Sequence, residues 1–140
     1  MSAGDPYAIP SGSGRINDAQ RKELQGVLET ARTISGFAFA LFVGPLPAGR
    51  TSALDRHSAL RDPASTVLVA VSPGERVLEI VTGQNVAVDL DDRACQLAAM
   101  SMTTALAAGE LVAGVREGVV MLAEHARHPR VLHLDDPPSR

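Results

Sequence analysis

The sequence predicts an α/β fold: a three-layer sandwich whose mixed sheet contains one parallel crossover and one hairpin, is flanked by helices, and is followed by two C-terminal helices. Three observations carry this. Short runs at 37–43, 66–71 and 76–82 are apolar and β-branched almost throughout, as expected of strands covered on both faces. Longer stretches near 18–34, 91–105 and 111–126 repeat their apolar residues at helical spacing. The first two strands are separated by some twenty residues with a helical candidate, which favours a right-handed parallel crossover.

In chain order, residues 1–14 are rich in Ser, Gly and Pro and read as a disordered arm ahead of a single domain over 15–128. Asn17 with Gln20 three residues later is a helix-capping pair, and Leu24, Val27, Leu28, Ala31 and Ile34 continue one face of a helix from Asp18 to Ile34. Gly36 stands where a left-handed helix terminator is expected. Gly44, Pro45 and Pro47 stop the first strand. A weaker helix is expected over Arg50 to Leu60, capped by Thr51 or Ser52, with Ala53, Leu54 and Leu60 inward.

Ser72-Pro73-Gly74-Glu75 separates strands two and three. Pro fixes one central φ and Gly supplies the positive second one, so a type II turn and an antiparallel hairpin are expected. Asp91 or Asp92 opens a helix with Ala94, Leu97, Ala98, Ser101, Met102 and Ala105 along one face, ended by Gly109. Leu111 or Val112, Val115, Val119, Leu122 and Ala126 mark the final helix. Pro129 prevents its continuation, and 129–140 reads as a surface tail.

Composition bounds the function. The 140 residues are 45% hydrophobic but only 3% aromatic, so the core is aliphatic. A net charge of −3 with scattered basic residues leaves no footprint for a phosphate backbone, and no aromatic platform exists for stacking bases, which argues against nucleic acid. Cys95 is the only cysteine, which rules out an intrachain disulfide and a multi-thiolate zinc site; its apolar neighbours predict a buried, inert thiol. No run approaches the length of an integral membrane segment and the first residues lack a signal pattern, so a cytoplasmic location is expected.

Candidate site residues follow from position and chemistry. Gly83, Gln84 and Asn85 follow a strand end, where ligands of open α/β sheets collect. Asp89, Asp91 and Asp92 place three carboxylates at a helix mouth, a donor set suited to Ca²⁺ or Mg²⁺; the structural alternative is that Asp91 or Asp92 caps the helix while the others complement its dipole. His57, His125, His128 and His133 read as solvated rather than metal-bound. Walker, Gly-x-Ser-x-Gly, His-Glu-x-x-His and dinucleotide motifs are all missing.

Ser13-Gly14-Arg15-Ile16, Phe37 to Gly44, Val67 to Pro73, Val77 to Gly83 and Gly109-Glu110-Leu111-Val112 together resemble the TPM-domain family, in particular a small uncharacterised actinobacterial branch. The likeness spans residues 13–133. It implies an α/β sandwich and points to Gly83 with its following loop and to Asp91 and Asp92. Some members of that family are acid phosphatases that bind divalent cations, and others are accessory factors of membrane complexes. Many members continue this strand with Gly-Tyr-Gly and an acidic residue, whereas this chain has Gly83-Gln84-Asn85. The expectation is therefore a non-catalytic binding or accessory domain with an unknown protein partner and no required cofactor, existing as a monomer or weak homo-oligomer. The alternative is a divalent-metal-assisted acid phosphatase.

Overall fold

The computed structural model describes residues 16–127. The expected arm (1–14) and tail (129–140), with Gly12, Ser13, Gly14, His128 and His133, lie outside the described residues.

Helix α1 (Asp18–Ser35) opens with both halves of the predicted capping box: Gln20 N donates to Asn17 Oδ1 at 2.8 Å, and Asn17 N to Gln20 Oε1 at 3.0 Å. It ends at Gly36, whose φ of 84° places it in the left-handed region. Strand β1 (Ala38–Val43) follows, then α2 (Arg50–Ser58), a 3₁₀ turn (Pro63–Ser65), β2 (Thr66–Ser72) and β3 (Val77–Thr82). A one-turn helix α3 (Gln84–Ala87) precedes α4 (Asp92–Ala107) and α5 (Leu111–Ala126).

The sheet order is β1-β2-β3, with β1 parallel to β2 and β2 antiparallel to β3, as the crossover and hairpin patterns predict. Alternate residues of the strands feed two cores. Phe39, Leu41, Val43, Val67, Val69, Val71 and Ile80 pack beneath α1, α4 and α5, while Ala40, Phe42, Leu68, Ala70 and Val81 pack against α2. Both faces of β2 are thus buried, which is why its sequence is a continuous apolar run instead of an alternating one.

Several details depart from the sequence reading. The hairpin turn places its positive φ, 57°, on Arg76 and not on Gly74, so the expected type II geometry is replaced by a longer connection closed by Arg76 N to Pro73 O at 3.3 Å. Helix α2 is capped at Gly49 and stops at Ser58; its inward residues are Ala53 and His57, while Leu54 is 45% exposed. Ser52 Oγ instead accepts Ala48 N at 2.8 Å, bracing the approach to the helix. The buried stripe of α4 is Ala94, Ala98 and Met102, and Leu97 faces outward.

Two glycines set the distance between α4 and α5. A Cβ on Gly114 would lie 2.5 Å from Ala105 Cβ, and one on Gly118 would collide with the Met102 side chain. At Gly114 the α4 backbone itself comes close, with Met102 O 3.5 Å from the position of a Cβ, whereas at Gly118 the Met102 side chain fills the space. Arg116 on the same helix reaches Glu23, tying α5 to α1.

Candidate functional site

At the end of the sheet where β1 and β2 begin and β3 finishes, a cavity of about 470 Å³ is lined by Arg32, Gly36, Ala38, Leu60, Arg61, Asp62, Ser65 and Thr66. Its walls are the last turn of α1, the segment after α2 and the 3₁₀ turn. The volume lies within the range of small-ligand sites. Neither the Arg32 nor the Arg61 guanidinium has a hydrogen-bond or ion-pair partner among the described residues. Arg32 also complements the carbonyl end of α1, and Asp62 stands on the rim. The lining thus carries two arginines and one aspartate, all three exposed, a net positive set whose donors match a carboxylate or phosphate group.

Of the predicted residues Gly83, Gln84 and Asn85, none lines this cavity, but Gly83 and Asn85 brace its wall. Gly83 has φ of −74°, so it is required for clearance and not for turning: any Cβ there would collide with the carbonyl oxygens of Pro63 and Ala64. Its N–H donates to Thr66 O at 3.1 Å, and Asn85 Nδ2 donates to Ser65 Oγ at 2.9 Å. The Ser65 hydroxyl proton therefore remains available to an acceptor in the cavity. Gln84 is exposed on α3, a helical turn where a loop was expected.

His57, read from the sequence as solvated, is corrected by the structure. It is buried, and Nε2 lies 3.0 Å from Thr66 O. A carbonyl accepts only, so Nε2 carries the proton, and the same oxygen also receives Gly83 N. Histidine at i+4 from Ala53 was the available sequence signal, since it shares the inward face of α2.

The three aspartates have separate settings. Asp91 Oδ1 accepts Ala94 N at 2.9 Å and caps α4; Asp92 is exposed in its first turn; Asp89 is half-buried. Among the described residues, no group of three or more His, Cys, Asp or Glu side chains is arranged to hold a metal ion.

Asp92 instead contributes to a second cavity of about 300 Å³ with Arg50, Leu78, Glu79, Ile80, Thr82, Cys95, Gln96 and Ala99. Cys95 is half-buried there. Burial first, then the charges of Asp92 and Asp91, push its thiol up to about 11, with Arg50 opposing, so it is protonated at neutral pH.

Residues 11–123 match the family described as "Domain of unknown function (DUF5130)". No curated protein matches the chain. Similar solved structures include the N-terminal domain of a protein from P. gingivalis, 17% identical, with a TM-score of 0.67 over 86% of this chain and 81% of that one. The N-terminal domain of the cg2496 protein from Corynebacterium glutamicum is 12% identical, with a TM-score of 0.66 over 87% of this chain and 80% of that one. At these identities the likeness shows a shared fold. No helix among the described residues is long and apolar enough to cross a membrane.

Proposed function

The chain belongs to DUF5130, a family defined by a domain of unknown function, and we propose that it is a non-catalytic binding or accessory domain of TPM-like architecture. It takes a carboxylate or phosphate group of a protein partner between Arg32 and Arg61. The observation that carries this reading is the pair of arginines, without side-chain partners among the described residues, that line a cavity of about 470 Å³. The loop singled out from the sequence supports it indirectly, because Gly83 and Asn85 hold the Pro63–Ser65 turn that carries Ser65 to the wall.

Isothermal titration with a glutamate-rich peptide and with inorganic phosphate tests the reading. Saturable binding is expected, weakened about tenfold by Arg32→Ala and again by Arg61→Ala, the loss of a charge-assisted hydrogen bond in each case. The absence of binding by the unsubstituted protein would overturn it. Divalent-dependent hydrolysis of p-nitrophenyl phosphate that disappears in the Asp91→Asn, Asp92→Asn variant would replace it with the metal-assisted phosphatase reading. Asn at position 91 retains a capping oxygen, so that variant separates charge from folding.

A further inference from the structure

Strand β3 ends the sheet. Gly83 N bonds Thr66 O at 3.1 Å, and in the antiparallel register Leu68 faces Val81 and Ala70 faces Glu79. Odd-numbered residues of β3 therefore spend their backbone groups on β2, and Leu78, Ile80 and Thr82 aim their N–H and C=O groups away from the sheet. Among the described residues the one bond to these outward groups comes from Arg50, whose Nη1 donates to Ile80 O at 3.3 Å and to Glu79 Oε1 at 3.0 Å. The outward groups open onto the cavity of about 300 Å³ walled by Asp92, Cys95, Gln96 and Ala99 of α4.

Arg50 is the first residue of α2, where a cation is disfavoured by the helix dipole, and it follows Gly49 at φ 59°. Its local cost contrasts with its placement across the middle of the β3 edge, at Glu79 and Ile80.

We propose that Arg50 guards the β3 edge against a second copy of this chain, by holding the Ile80 carbonyl and the Glu79 carboxylate with one guanidinium. The occupant excluded is another β3, because the edge is self-complementary. About a two-fold axis at Ile80, Leu78 pairs with Thr82 of the second copy, Ile80 with its own equivalent and Thr82 with Leu78, so every outward donor meets an acceptor. On the other face Glu79 falls opposite Val81, which leaves no like charges face to face. Free strand edges with this property associate unless blocked, and a charge placed on the edge is a usual block.

Sedimentation velocity from about 10 to 500 µM tests the proposal on the 140-residue chain. The unsubstituted protein is expected to be monomeric throughout, and Arg50→Met to form a dimer whose fraction rises at least fivefold over the range. Adding Leu78→Pro, which removes an outward N–H while sparing the bonds to β2, should restore the monomer. The Arg50 side chain is 56% exposed, and Arg50→Gln, which keeps polarity at that position but not the charge, provides a second route to the same result. Circular dichroism verifies that each variant is folded. Folded Arg50→Met and Arg50→Gln variants that both remain monomeric would overturn the proposal, as would a dimer that persists with Leu78→Pro.

Discussion

Single residues in this domain are constrained by what approaches their backbone more than by the chemistry of their side chains. Gly83 shows this most directly. Its backbone angle is open to any amino acid, yet the carbonyls of Pro63 and Ala64 occupy the position of a Cβ. Gly83→Ala must displace the 3₁₀ turn, and we expect it to lower unfolding free energy by about 2–4 kcal/mol, measured by urea denaturation. A loss below about 0.5 kcal/mol would mean that the turn yields freely. The sequence identified Gly83 as special by its place after a strand, but the reason is a contact with Pro63 and Ala64, in a turn that precedes β2. His57 was misread for the same kind of reason: its burial depends on the carbonyl of Thr66, which becomes its neighbour only when α2 folds onto the sheet.

Elements show which glycines are structural. Gly26 lies in α1 with open space where its side chain would be, whereas Gly114 in α5 is pressed against Ala105 of α4. Intrinsic helix propensity favours alanine at both sites by about 1 kcal/mol. Gly26→Ala is therefore expected to stabilise by about that amount, while Gly114→Ala should destabilise by about 1–3 kcal/mol because overpacking outweighs propensity. Thermal and urea melts of the two variants check the opposite signs. The α4 stripe carries a related lesson. Periodicity places Leu97 beside Ala94 and Ala98, but α5 covers only the narrow side bearing Ala94, Ala98 and Met102, leaving Leu97 52% exposed.

At the scale of the whole molecule, Glu75 joins parts that are distant in sequence. Its Oε1 accepts Ser72 Oγ at 2.7 Å and Leu46 N at 2.8 Å, linking the β2–β3 turn to the segment before α2. The Ser72 hydrogen bond, followed by that from Leu46, lowers its carboxyl below the usual 4.5. Because the folded-state value is depressed, the charge stabilises the fold above that pH and the contribution is lost as pH falls through the lowered value. Glu75→Gln should therefore reduce the urea midpoint at pH 7 and approach the unsubstituted protein below pH 4.5. An equal gap at pH 7 and pH 2.5 would refute this account.

Sequence alone determined the α/β class, the order of the three strands, their parallel and antiparallel pairing, and both ends of α1. Those features rest on local periodicity, turn composition and capping, which act between residues close along the chain. Only the tertiary structure brought Arg32 and Arg61 to one cavity, turned Gly83 and Asn85 into its supports and laid Arg50 across the β3 edge. Each of these depends on the distance between elements remote in sequence. The packing of α2 and of the α1, α4, α5 layer on opposite faces of the sheet sets those distances.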